Sequence, residues 1–191
     1  MQQMIRQALE DRVQQGDIVR NVDFPEYSAV EGDEAVLTVV RFPFAVVLTQ
    51  DCDLQQNHVA LARGSGGGRL VSTLVAPAYH LADAQAGSQL EFLGVKMPSL
   101  PPKDPNSLYA KSLYQNKNAR YHCLPLSQAN ELLPDLIVDF KQYFAVNSGY
   151  LTVMKSRCHL ASLNDLYCED LCQRFATYLS RVGLPKPISA M

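Results

Sequence analysis

The tripeptide Asp51-Cys52-Asp53 is the most unusual chemistry-bearing segment of this 191-residue chain. It follows a continuous apolar run, so a strand end is expected there. Carboxylates at i and i+2 of a strand point to one side, where they can hold a cation or orient a base. A catalytic thiol at Cys52 needs a base beside it, and His58, His80 and His122 are the candidates. The plainer alternative is a turn in which the aspartates bond their own backbone and Cys52 fills the end of the core. A second constellation interleaves Tyr109, Tyr114 and Tyr121 with Lys111, Lys117 and Arg120. Rings that stack on bases, set among cations, suit single-stranded RNA. The same tyrosines can instead pack back onto the fold from a solvated loop. Cys168 and Cys172 stand four apart on an expected helix, with Cys158-His159 upstream. No Cys-x-x-Cys pair accompanies them and they flank an apolar stripe, so they read as core thiols. No metal or cofactor is expected.

The charge is uneven. Four basic and ten acidic residues lie between Met1 and Ala60, whereas five basic and one acidic lie between Lys96 and Arg120. A local basic excess can meet an anionic partner although the formal net charge is −2. With 47% apolar and 19% charged residues, the composition is that of a globular protein rather than a disordered one. The length suits one well-cored domain over 1–191. The apolar runs are far shorter than the ~20 residues of a membrane span. The polar N-terminal stretch lacks the apolar core of a signal peptide, so a cytoplasmic location is expected.

The elements that must position these residues follow from periodicity. Ile5, Ala8, Leu9 and Val13 recur at helical spacing, which predicts a helix over 3–14 ended by Gly16. Asp17 to Arg20 opens a strand, and the acidic, turn-rich stretch 21–34 predicts a loop. Ala35 to Val40 and, after Pro43, Phe44 to Thr49 predict strands, the second buried on both faces. Gly64 to Gly68 predicts a hairpin tip; it lacks the ending of a phosphate loop. Strands are expected at 69–76, 89–93, 120–124, 136–140 and 150–154. A helical turn is expected at 78–86, and a short helix at 127–133 with Ser127 as N-cap. Four prolines make 97–119 an irregular, basic insertion. A long amphipathic helix is expected at 164–182, with Phe175 mid-stripe and Gly183 and Pro185 as stop signals. Asp170 and Arg174 read as an i,i+4 surface ion pair. The whole is mainly β with α, an α+β domain in which short strands form a small barrel or curled sheet packed by helices.

Four segments, in order, resemble the MazF/PemK family of toxin endoribonucleases. They are Gly16-Asp-Ile-Val19, Arg41-Phe-Pro-Phe-Ala-Val-Val-Leu-Thr49, Leu70-Val-Ser-Thr-Leu-Val-Ala-Pro77, and Asp135 to Phe140 followed by Arg157 to Leu184. The resemblance covers about half the chain. It implies an SH3-like barrel and metal-independent RNA cleavage, in a toxin–antitoxin or defence setting. Arg41 matches the family's catalytic arginine in motif order, although Phe42 separates it from Pro43. Where the family carries a Thr after its alanine-proline pair, this chain has Ala78-Tyr79-His80. The implied site is therefore Arg41, Tyr79 and His80. Arg41 would steady charge on phosphate, and His80 would move the 2′-hydroxyl proton. The departures leave open a non-catalytic module that binds a cognate protein on the same scaffold. The oligomeric state is not legible, and a homodimer is compatible with the sequence.

Overall fold

The computed structural model describes residues 3–7, 10–31, 34–100 and 113–181. The buried run Ala45-Val46-Val47, none of it exposed, sits at the centre. It belongs to β2 (Glu34–Val47), which pairs antiparallel with β1 (Asp17–Glu31) and, over Phe44 to Val47, with β3 (Ser72–His80). The sheet continues through β5 (Leu136–Asp139) to β4 (Tyr121–Leu124) on one side and from β1 to β7 (His159–Ser162) on the other. All seven strands pair antiparallel, and the sheet stays open: β4 and β7 are its edges and do not meet. The architecture is thus α+β, as expected, without the closure of a barrel.

Helices cover both faces. On one, α1 (Asp51–Ala62), α2 (Leu81–Ala86) and α3 (Ser148–Cys158) supply Leu54, Leu81, Ala84 and Leu151 to a core with Val19, Val47, Val75 and Ile137. On the other, α4 (Asp165–Leu179) lays Cys168, Leu171 and Phe175 over Ile18, Val46, Ala76 and Phe140. Asn164 caps α4 by accepting from the Tyr167 amide; Leu171 and Phe175 of the expected stripe face the sheet, whereas Leu166 and Leu179 are exposed. Gly16 turns the chain into β1 at φ +82°, where a Cβ would lie 3.0 Å from Cys168 Sγ. At the β7 edge, Asp17 is wholly buried and accepts from Lys155 Nζ (2.7 Å), Ser162 Oγ (2.5 Å) and the Gln14 amide (2.7 Å).

β5 and β6 (Phe144–Asn147) are two halves of one long strand against β3, separated by a 3-10 turn at Phe140–Gln142. The pairing sum slips by three residues across that turn, from Val138↔Ala78 to Phe144↔Val75. β1 and β2 run beyond the sheet as a two-stranded arm. β3 leaves β2 at Phe44 and β7 leaves β1 at Val19, but the ladder continues to Glu31↔Glu34. Where the arm departs, Asn21 adopts φ +56° directly opposite Pro43. The pleat reverses there on both strands. Val22, Phe42 and Val40 face the same core as Val19 and Ala45, while Phe44 and Ile18 face the other. A left-handed residue and a proline at the point where neighbouring strands end remove ladder bonds at little cost.

Several expectations are corrected. The described parts of 3–14 are not helical. Ile5 bridges Leu163 and the Arg6 amide bonds Ser162 O at 2.8 Å, so pairing beside β7 replaces helical bonds. Residues 21–31 form a strand rather than a loop, because β2 satisfies their backbone. Asp51-Cys52-Asp53 is the first turn of α1, not a strand end; carboxylates are favoured there by the helix dipole. Residues 150–154 lie in α3, nucleated by Asn147 accepting from the Tyr150 amide at 3.1 Å. Residues 91–93 and 126–128 are 3-10 turns instead of a strand and a Ser127-capped helix. Among the described residues no helix is long and apolar enough to cross a membrane.

Candidate functional site

Arg41 stands on the arm, and its cross-strand partner is Asp23. Its Nε and Nη2 reach the two carboxylate oxygens at 2.7 and 3.1 Å, which holds the Asp23 carboxyl below its usual range. Tyr79 is 1% exposed, and its hydroxyl has no hydrogen-bond partner among the described residues. Burial pushes that phenol well above its ordinary range, reinforced by the nearby Asp139. His80 is the next residue along β3, so its ring projects from the opposite face. It is exposed and sits edge-on to Phe44 with centroids 5.0 Å apart. Arg41, Tyr79 and His80 therefore do not present one reactive surface.

Asp51 binds Arg12 through both oxygens, at 2.9 and 2.8 Å, while Cys52 and Asp53 are exposed on α1. Residues two apart on a helix point away from each other, so the carboxylates do not converge. Cys172 accepts from Gln15 Nε2 at 3.0 Å; the bonds from Cys168 and Gln15 hold its thiol below the usual range. Among the described residues no cluster of three metal-binding side chains exists.

Of the expected nucleic-acid face, Tyr109 and Lys111 lie outside the described residues. Tyr114 and Lys117 are exposed. The backbone around them is fastened down. Asn116, at φ +55°, accepts from the Cys123 amide at 2.6 Å, and Arg174 Nη2 donates to Asn118 O (2.7 Å) and Tyr121 O (3.0 Å). Arg174 Nε also donates to Nδ1 of buried His122 at 3.0 Å, so Arg174 is a staple from α4 rather than half of a surface pair. Arg120 grips Asp139 with Nε at 2.7 Å and Nη2 at 2.5 Å. Asp139 is 1% exposed and also caps the Lys141 amide at 3.0 Å.

Arg120 lines a cavity of about 350 Å³ between the arm, the segment 90–97 and the turn after β5. The arm contributes Phe24, Glu26, Val40 and Phe42; the segment contributes Leu90, Leu93, Val95 and Met97. Lys141, Gln142, Tyr143 and Phe144 complete it. Phe42 and Phe144 stack at 4.9 Å, and Phe24 tilts against Phe144 at 4.9 Å. Sequence reasoning missed these residues except Arg120. The one signal was the acidic end of the Leu-Ile-Val-Asp strand, which the β4–β5 register sets beside Arg120 by pairing Asp139 with Tyr121. Comparison with protein-family models and with curated proteins finds no match to this chain.

Proposed function

We propose that the chain is a non-catalytic protein-interaction module whose arm receives an extended, basic segment of a partner by strand addition. The observation that carries this is the outer edge of β2. Over residues 36–43 the backbone groups that face away from β1 have no partner among the described residues, and Val36, Leu37 and Val39 are 39, 60 and 46% exposed there. Exposed edges with apolar side chains are templates for added strands. The sequence from 21 to 41 holds five acidic residues and a single basic one, Arg41, which Asp23 already neutralises. That charge selects a basic partner and repels a nucleic acid. A MazF/PemK-like scaffold without an assembled nuclease constellation is compatible with this role, in a toxin–antitoxin or defence setting. The endoribonuclease reading would need Arg41 released and Tyr79 unburied.

The test uses two labelled strand-forming peptides, one alternating Lys with Val and one alternating Glu with Val, followed by fluorescence anisotropy. The basic peptide should bind and the acidic one should not. The double variant Leu37→Lys, Val39→Lys should lose binding without losing its melting transition. Retention of single-stranded RNA on filters, falling steeply with salt, together with no peptide binding, would return the nuclease reading.

A further inference from the structure

The arm's inner face carries a second inference, independent of what its outer edge binds. The cavity there has the apolar walls and few convergent polar groups of a small-ligand site. Its mouth is ringed by large apolar side chains in water: Phe92, Leu93, Val95 and Tyr143 are 50, 39, 45 and 43% exposed. Phe92 stands edge-on to Phe42 with centroids 6.3 Å apart, so this rim continues the aromatic wall. Apolar side chains clustered around a concavity mark a place where an apolar group docks.

The polar groups define what that apolar group carries. Asp139 orients Arg120 through Nε and Nη2, and no acceptor among the described residues takes Nη1. The guanidinium is thus held in place with donors to spare, which is the state in which it binds a planar anion best. Lys141 lines the same cavity and has no carboxylate partner among the described residues. Glu26 on the arm side and Asp139 behind Arg120 formally balance the two cations. Because Asp139 pairs with Arg120, Lys141 is the one cation at the cavity without a carboxylate partner among the described residues, and with the spare Arg120 donors it favours a single negative charge over the double charge of a phosphate monoester. We propose that this cavity binds an apolar group bearing one carboxylate, the chemistry shared by a hydrophobic peptide C-terminus and a free aryl or aliphatic acid.

The chain contains no tryptophan, so indole emission reports ligand alone. The probe is N-acetyltryptophan, with N-acetyltryptophanamide as its uncharged counterpart. The acid should bind saturably with a blue-shifted emission, and the amide about tenfold more weakly, the worth of one charge-assisted hydrogen bond. Lys141→Gln should weaken the acid and leave the amide unchanged. Val95→Glu, at an exposed rim position, should abolish acid binding while the melting transition stays in place. A capped tripeptide ending in Phe, as acid and as amide, separates the two sources. A peptide acid that outbinds the free acid identifies a chain terminus as the ligand, and equal affinity identifies a small acid. Equal binding of acid and amide, indifference to both substitutions, or better competition by uridine monophosphate would overturn the proposal.

Discussion

The buried His122 makes acid sensitivity of this fold a quantitative prediction. The imidazole is 1% exposed, and its Nδ1 accepts a hydrogen bond from Arg174 Nε at 3.0 Å. Burial, and secondarily the charge of Arg174, lower its pKa from the ordinary 6.5 to about 3. The folded state therefore refuses a proton that the unfolded state takes up as the pH falls through 6.5. A folded pKa below the unfolded one, for a base, means stability present above pH ~6.5 and lost progressively down to pH ~3. Between pH 7 and pH 5 this single group removes about 2 kcal/mol, on the order of 1.4 kcal/mol per pH unit at the steepest. The carboxylates held low by arginines, Asp23 and Asp51, add their losses only below their ordinary value of 3.8, outside that window. His159, also lowered by burial, contributes in the same direction. It cancels when wild type is compared with His122→Gln, whose amide oxygen can still accept from Arg174. Urea unfolding at pH 7, 6 and 5 should show the wild type losing about 2 kcal/mol more than the variant. The His122 ring signals should not titrate above pH ~4. Parallel stability curves for the two proteins, or a ring that titrates near 6.5, would refute the reasoning.

Phe175→Ala should cost ~3–5 kcal/mol, because the ring is 7% exposed and packs on Phe140 at 5.5 Å and Tyr143 at 5.2 Å; chemical denaturation measures it. Lys155→Met should destabilise by ~3–5 kcal/mol, since it leaves the buried Asp17 carboxylate without its ammonium partner, and a urea midpoint reads the loss. Gly87→Ala should cost at least ~2 kcal/mol by thermal melt: Gly87 sits at φ +79°, and a Cβ would lie 2.3 Å from Met97 O.

What could be read in advance follows from how local each signal is. The strand Phe44 to Val47 was legible because an unbroken apolar run needs cover on both faces, and it has cores on both. The closing helix was legible because Leu171 and Phe175 repeat at helical spacing. By contrast, α3 reads Tyr-Leu-Thr-Val-Met in its middle, a β-like composition, and buries only Ser148, Leu151 and Lys155. Its cap at Asn147, not its periodicity, decides the outcome. The β1 half of the arm looked like a loop because Pro25, Glu26 and Ser28 are poor strand residues; the ladder to β2 overrides them. The site was hidden for the same reason. Arg41 was visible as a cation, but Asp23 becomes its partner only through a register no single segment encodes. Phe24, Phe42 and Phe144 come from three strands and meet only after folding.

The pleat reversal at Asn21 and Pro43 also governs how this chain can vary. The ribbon is turned over once, by one residue on each strand acting together. Loss or gain of one residue between Arg20 and Phe24 would undo half of that turn. Phe24 would swing into solvent and the Asp23 carboxylate into the apolar wall, everting the cavity while leaving the central sheet folded. Beyond the irregularity between Pro25 and Tyr27, the ribbon stands outside the sheet, and matched additions or removals there change only its reach. Descendants of this sequence can thus retune the arm's length freely, whereas the crease at its base admits almost no change in residue count.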